Sequence, residues 1–387
     1  MLRYLIVFTP LSITLFWSIV FLTNRFGANR ARFWLGLFML LVAVLYVCHA
    51  AFFLNFKEVY LQLDSVYLFA GLSVYPMYYF YIRLLTCDVS PRKFYVRHFL
   101  PAVVLSFMLL SLSLISDHEA RSIYYQSVLV ENSWPGQQAP VLARWMAVVF
   151  FASRFIFAVQ VLVYLGMGYQ LVRKYDTRIA NFYSNLEGKE LLWVKLLTIS
   201  FFVASIISFV ANLLGRGLFM ENELLLAVPS GLFSALFFII GLQGNRQNQI
   251  IRNLEEEAEE TEVVVPVFTE TKMANLKREL LKLLQENKLY LNPEIRVTEL
   301  CKKLNTNRTY LSRLINEEFG LSFSDFINQY RVAYARELLM QDKEERFSHT
   351  HIAEQSGFGS LSSFNRAFRK ELGRTPGEYR KSLKEQF

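Results

Sequence analysis

Seven stretches of the chain, at about 4–23, 33–54, 66–85, 98–116, 141–165, 191–214 and 224–242, are long and apolar enough to cross a lipid bilayer. Covering ~30 Å of hydrocarbon takes ~20 mostly apolar residues as a helix, so residues 1–242 are expected to form a seven-helix transmembrane bundle. Composition agrees, since charged residues make up only 19% of the 387, against ~25% in a soluble domain. The first stretch has only Arg3 ahead of it and no small-residue cleavage site, so it reads as a retained span and not as a secretion signal. Basic residues set the orientation. The first, third and fifth loops are rich in them (Arg25, Arg30 and Arg32; Arg92, Lys93 and Arg97; Arg173, Lys174, Arg178 and Lys189). The even loops hold Lys57, Arg121 and Arg216, with acids nearby. Odd loops inside and seven spans put the N-terminus outside and everything beyond residue 242 in the cytoplasm.

Few charges fall within these stretches. Arg83 and Lys195 lie near the inner surface and Arg144 near the outer one, where long side chains reach the headgroups. Arg154, in FFASRFIFAVQ, sits near the middle of the fifth stretch, and no Asp or Glu falls inside any of the seven to pair with it. Inserting such a group costs at least ~2.5 kcal/mol. Arg154 is therefore a candidate ligand residue for an anion or carboxylate-bearing molecule, with bonding to carbonyls, Gln160 or tyrosines as the structural alternative. Little else points to chemistry. Cys48, Cys87 and Cys301 are scattered, and the five histidines show no ligand spacing, with His49 alone inside a span. Gly166 with Gly168 and Gly215 with Gly217 complete no phosphate-binding loop. No catalytic residue, metal or cofactor is expected, and the chain does not read as an enzyme.

Formal charge divides the chain into three parts: +7 over 1–242, −4 over 243–268 and +5 over 269–387. The acidic strip QGNRQNQIIRNLEEEAEETEVVVPVF reads as a linker. Its helix-forming part carries a weak apolar stripe, Ile250, Ile251 and Leu254, that offers one route to a homodimer.

The last 90 residues contain an internal repeat. LCKKLNTNRTYLSRLINEEFG matches IAEQSGFGSLSSFNRAFRKELG with one extra residue in the second turn, so Leu311 pairs with Phe364, Arg313 with Arg366 and Gly320 with Gly373. Each copy is a short helix, a turn at Asn305 or Gly357, and a longer basic helix. Cys301 and Ala353 are the small residues that let the two helices approach. Leu311, Leu314 and Ile315 form one apolar stripe, Phe364 and Phe368 the other. This is helix-turn-helix geometry, in which the second helix enters the major groove. FSDFINQYRVAYARELLMQ lies between the copies, with Phe326, Ile327, Tyr330, Ala333, Tyr334 and Leu338 at helical spacing, and predicts a long connecting helix.

Four runs make the likeness specific: LSRLINEEFG at 311–320, YRVAYARELL at 330–339, IAEQSGF at 352–358 and FNRAFRKELGRTPGEYR at 364–380. The last ends in an exit pattern of Gly373, Pro376, Tyr379 and Arg380. Residues from about 272 to 385 resemble the DNA-binding domain of the AraC/XylS family of bacterial transcription regulators. The sugar-binding cupin domain common in that family is missing here, so its usual effectors do not carry over. The resemblance implies an all-α cytoplasmic double helix-turn-helix domain over 269–387. Exposed DNA-binding positions are then Asn307, Arg308, Thr309, Ser312 and Arg313 in the first recognition helix, and Leu361, Ser362, Ser363, Asn365 and Arg366 in the second. Arginine suits bidentate contact with guanine and asparagine with adenine. Lys302, Lys303, Arg369 and Lys370 suit phosphate contacts, which position without specifying.

The expected whole is a one-component transcription regulator of the bacterial inner membrane, sensing a small-molecule or protein signal and binding promoter DNA. Its partners would be double-stranded DNA, the lipid bilayer, RNA polymerase and a second copy of itself. An intramembrane enzyme, or a transporter-like protein with an appended regulatory domain, is the competing reading.

Overall fold

The structure, a computed structural model, describes residues 1–23, 30–86, 96–187, 192–246, 270–342, 344 and 346–384. Arg25, Cys87, Arg92, Lys93, Lys189 and the linker stripe Ile250, Ile251 and Leu254 lie outside the described residues. Among those described, every regular element is a helix, and one isolated antiparallel bridge joins Tyr183 to Arg296. The chain divides into two compact units, one of 1–172 with 192–249 and one of 173–191 with 250–387.

The first unit runs α1 (Leu2–Leu22), α2 (Arg30–Phe53), α3 (Lys57–Thr86), α4 (Leu100–Ile115) and α5 (His118–Ile123), the last passing into a π-helical turn, Tyr124–Val130. Then come α6 (Val141–Ala180), whose final residues belong to the second unit, α7 (Leu192–Leu214), α8 (Gly217–Glu221) and α9 (Glu223–Arg246). α1 packs on α2 and α9, α2 on α3, and α3 on α4. The α1–α9 crossing is close because Gly241 has no side chain, and a Cβ there would sit 2.2 Å from the Trp17 ring. Among the described residues four helices are long and apolar enough to span a membrane: Leu2–Leu22, Arg30–Phe53, Val141–Ala180 and Glu223–Asn245. The 16 residues of α4 fall short of a full crossing, α3 carries Lys57, Glu58, Asp64 and Arg83, and within α7 a shorter run, Phe201–Val210, is apolar. Large apolar side chains point outward from these helices, among them Phe107 at 67% exposed and Phe155 at 71%.

The interior of this unit corrects one expectation. α3 begins at Lys57, so Asp64, which falls just outside the stretch 66–85, lies on the helix and is buried. A carboxylate is thus present, and Tyr124 donates to it at 2.8 Å. Arg216, assigned to an outer loop, is buried as well and donates to the Tyr60 hydroxyl at 2.7 Å. Arg154 is half-buried, donates to Asn132 Oδ1 and stacks on the Phe150 ring 4.2 Å away. Asn132, Phe150 and Phe151 meet it, while the buried Gln160 amide makes no hydrogen bond to it.

The second unit comprises α10 (Glu270–Asn287), a 3-10 turn Leu289–Leu291, α11 (Val297–Lys303), α12 (Arg308–Glu318), α13 (Phe323–Gln341), α14 (His349–Gln355), α15 (Leu361–Leu372) and α16 (Pro376–Lys384). α13 is the predicted connecting helix, but its buried face runs Phe323, Phe326, Ile327, Arg331, Val332, Ala335 and Leu339. Ala333 is exposed, and Tyr330, Tyr334 and Leu338 are half-buried. The face therefore turns about Arg331, only 1% exposed. Its guanidinium donates to the carbonyls of Tyr290 (2.7 Å), Asn292 (2.7 Å) and Pro293 (3.3 Å), to Asn328 Oδ1 (3.2 Å) and to Ser184 Oγ (3.1 Å). Burial brings its pKa down to about 10, so it stays charged at neutral pH.

Ser184 belongs to a short segment just after α6 that is woven into this unit. Val297 N–H donates to the Phe182 carbonyl (3.0 Å), Ser184 N–H to the Ile295 carbonyl (3.3 Å), and Ser324 Oγ to the Ser184 carbonyl (2.9 Å). Arg296 lies over the Tyr183 ring and Arg308 over the Phe182 ring, at 5.5 and 5.3 Å. At the other end, Arg380 of the exit pattern pairs with buried Asp342 at 3.0 Å, and Tyr379 stacks on Phe368.

Truncating a buried, hydrogen-bonded charge site costs ~3–5 kcal/mol, whereas a half-exposed ion pair is worth ~1 kcal/mol or less. Arg331→Met is therefore expected to lower the opening free energy at residues 290–297 by about 3 kcal/mol, and to strip protection from Phe182–Asn185 together with them. Lys277→Ala, which removes the Lys277–Glu318 pair, should cost less than about 1 kcal/mol. Native-state hydrogen exchange read by mass spectrometry measures both. Unchanged protection at Phe182–Asn185 in Arg331→Met would show that the guanidinium does not hold the segment.

Candidate nucleic-acid interface

The two copies of the repeat fold as two helix-turn-helix units. The first pairs α11 with α12 across residues 304–307, the second α14 with α15 across residues 356–360, one residue longer as the alignment requires. Both turns pass through the left-handed region, at Asn305 (φ 47°) and Gly357 (φ 80°). Asparagine tolerates that conformation and glycine adopts it freely. The second turn needs glycine for a further reason, because a Cβ on Gly357 would lie 2.6 Å from the backbone of Tyr290 and Leu291. Cys301 and Ala353 are both buried where the two helices of each unit meet, and burial raises the Cys301 thiol pKa to about 12. That thiol is a packing group. Leu311, Leu314, Ile315, Phe364 and Phe368 are fully covered, so the opposite faces of α12 and α15 look outward.

Of the ten positions named for DNA contact, Thr309, Arg313, Leu361, Ser362, Asn365 and Arg366 are exposed. Asn307, Arg308, Ser312 and Ser363 are half-buried, and each has a local reason. Asn307 caps α12, its side chain accepting from Tyr310 N–H at 3.0 Å. Ser363 closes a capping box with Ser360 at the start of α15. These oxygens answer backbone donors that a helix start leaves without partners. Arg308 is turned against the Phe182 ring, and burial followed by the nearby Arg178 charge pushes its pKa down. Ser312 Oγ is covered by its surroundings.

The basic positions flank these faces. Lys302 and Lys303 close the last turn of α11, and Arg369 and Lys370 the last turn of α15, all exposed. Carboxylates lie beside some of these cations: Arg313 pairs with Glu317 one turn away at 2.9 Å, and Lys370 with Asp325 at 2.6 Å. Exposed pairs of this kind are worth ~1 kcal/mol or less, so a phosphate or a base edge can take either cation without large cost. Among the described residues no group of histidine, cysteine or carboxylate side chains has metal-binding spacing.

Sequence reasoning missed Arg331 and the segment Phe182–Asn185. The only signal for the first was an arginine on the inward side of an otherwise apolar helical stripe. For the second, NFYSN between α6 and the following helix carries no local mark of its partner.

Residues 300–382 match a family described as a helix-turn-helix domain. The chain is 32% identical over 89 residues to the Msm operon regulatory protein of Streptococcus mutans, covering 23% of this chain and 31% of that one. It is 34% identical over 107 residues to an HTH-type transcriptional regulator of Bacillus subtilis, YfiF, covering 27% and 33%. A solved structure from Listeria innocua, of a protein of unknown function, is 33% identical with a TM-score of 0.24, covering 27% of this chain and 94% of that one. The chain spans about a third of the length of the two regulators it matches. Its C-terminal region, over residues 300–382, is a helix-turn-helix domain of the AraC type.

Proposed function

We propose that the chain is a membrane-embedded, one-component transcription regulator that reads promoter DNA with α12 and α15 and is not an enzyme. The observation that carries this reading is the pairing of two helix-turn-helix units, each with an outward polar and basic face, with long helices whose apolar side chains point outward. An outward apolar belt of that kind belongs in lipid. The relatives, an operon regulatory protein of Streptococcus mutans and an HTH-type transcriptional regulator of Bacillus subtilis, support it.

In this proposal residues 1–242 form the membrane and sensing part with seven spans, 243–268 a linker and 269–387 the DNA-binding part. The N-terminus lies outside the bacterial inner membrane and the C-terminal part in the cytoplasm. Thr309 and Arg313 of α12, and Leu361, Ser362, Asn365 and Arg366 of α15, meet base edges, with Asn307, Arg308, Ser312 and Ser363 at the same helix starts. Lys302, Lys303, Arg369 and Lys370 hold phosphates. RNA polymerase and a second copy of the chain complete the partners. The signal enters at a ligand site that includes Arg154.

The embedding of Phe182–Asn185 favours one route for the signal. These residues follow α6 directly in the chain, and Phe182 covers Arg308 at the start of the first recognition helix. A shift of α6 that moves Phe182 therefore changes the setting of α12.

Two recognition helices on one domain reach successive major grooves ~34 Å apart, or 10–10.5 base pairs. Arg313→Ala and Arg366→Ala are each expected to cost ~1–3 kcal/mol on the preferred site and to relax preference only at their own element. Lys302→Ala should weaken all sequences alike and reduce the salt slope by about one. Titrations against operator variants at two salt concentrations measure both, and even losses on unrelated sequences would remove the arginines as base readers. For topology, reporter fusions at residues 28, 92, 128 and 180 are expected to score inside, inside, outside and inside. An external signal at 180 would overturn the seven-span count.

A further inference from the structure

The first unit encloses a cavity of about 280 Å³ that the DNA-binding part does not account for. Most of its wall is apolar, from residues such as Leu72, Phe157, Phe201, Leu226 and Phe237. Three charged side chains also reach it, from separate elements: Asp64 of α3, Arg154 of α6, and Arg216 in the turn before α8. Two guanidiniums against one carboxylate leave the lining with a formal excess of one positive charge.

The two cations are held in place. Arg216 donates to the Tyr60 hydroxyl at 2.7 Å and lies over the Tyr67 ring at 4.8 Å. Arg154 is anchored by Asn132 Oδ1, and the Phe150 ring lies 4.2 Å from one guanidinium and 5.9 Å from the other. Asp64 offsets one of the two guanidiniums, so the lining as a whole keeps its single positive charge in excess. An anion between the two arginines would gain from both, since a guanidinium matches a carboxylate in two parallel hydrogen bonds.

Size narrows the occupant. An apolar cavity of about 150 Å³ is filled by a single benzene ring, so about twice that volume takes a molecule of medium length. The walls ask for an apolar body, and the excess charge asks for one negative group. Resting on the sensing role proposed above, we infer that this cavity binds an amphiphilic monocarboxylate, a medium-chain fatty acid or its aryl equivalent, with the carboxylate at Arg154 and Arg216 and the chain among the phenylalanines and leucines.

The test uses the full chain in phosphatidylcholine nanodiscs, titrated calorimetrically with sodium decanoate, decan-1-ol and decyltrimethylammonium. Decanoate should bind saturably with one site per chain, and the alcohol and the cation at least about tenfold more weakly, a difference of ~1.4 kcal/mol. Arg154→Gln should weaken decanoate by about tenfold or more. Gly71→Leu touches no charge and fills the cavity wall, where a Cβ meets only the Leu45 side chain at 3.9 Å; it should abolish binding. Cooperative melting of each variant without ligand checks that it is folded, and if one fails the other decides. Equal binding of decanol and decanoate, or decanoate binding unaffected by the folded variants, overturns the assignment. Competition from phosphatidylglycerol added to the nanodisc overturns the free acid in favour of a lipid headgroup. Transcript profiles of cells with and without decanoate separate the two levels. Specific binding with flat transcription leaves the site standing and removes the sensing role. A transcriptional response without direct binding removes this ligand and keeps the sensing role.

Discussion

A buried guanidinium organises the second, helix-turn-helix-bearing unit. Arg331 reaches from the middle of α13 to three backbone carbonyls in residues 290–293 and to Ser184, so one side chain joins the connecting helix, the turn before the first helix-turn-helix, and a segment over a hundred residues earlier. None of these acceptors is a carboxylate. The arrangement resembles a helix cap more than a salt bridge, with each carbonyl satisfied by a donor that the backbone cannot supply there. Lysine would not substitute, because a planar fork addresses several carbonyls at fixed angles while an ammonium offers a single point. Arg331 also lies over the ring of Phe358, in the turn of the second helix-turn-helix, at 5.7 Å, so the element between α12 and α15 is tied to both copies' surroundings.

The two helix-turn-helix copies share a plan but not their surroundings. Gly320 and Gly373 end the equivalent helices α12 and α15 in the same left-handed conformation, at φ 67° and 72°. The turns diverge. Asn305 stands open, whereas Gly357 is pressed on the backbone of Tyr290 and Leu291, which also carries an acceptor of Arg331. The second copy further gains an aromatic row, Phe358, Phe364, Phe368 and Tyr379, that closes its base, with Arg380 held on Asp342. The first copy instead meets α10 through Lys277, which pairs with Glu318 at 2.8 Å and lies over the Phe319 ring at 5.3 Å, while Leu276, Leu280 and Leu284 of α10 are buried.

Much of this was legible in the sequence because it is local. Apolar runs and a repeat with one inserted turn residue leave marks within a few residues, and a helix covers each of those runs, although among the described residues four helices are long and apolar enough to span a bilayer. What was missed is non-local. Asp64 was cut from its helix because hydropathy falls before the helix does, so an interior carboxylate was overlooked. Arg216 sits between two glycines and reads as a loop cation, yet four aromatic rings, those of Phe52, Tyr60, Tyr67 and Phe150, come close to it only once the helices pack. Arg331 was missed for the same reason: a charged side chain is ordinarily expected at the surface, and its acceptors here are carbonyls of a distant turn.

Magnitudes decide what the embedded segment can do. The contact of Arg308 with Phe182 is a cation–π pair, worth ~0.5–2 kcal/mol, and the nearby charge of Arg178 opposes it. DNA offering a phosphate to Arg308 competes with that contact on nearly even terms, so Phe182 by itself is a weak blockade. The hydrogen bonds of Ser184 and its neighbours are more numerous, and they hold the segment through backbone groups that DNA does not address. The segment therefore stays in place while Arg308 is free to change partners. On the proposed function, regulation through it would act by moving the start of α12 relative to α15, which alters the fit to two grooves at once, and not by covering the surface proposed to face DNA.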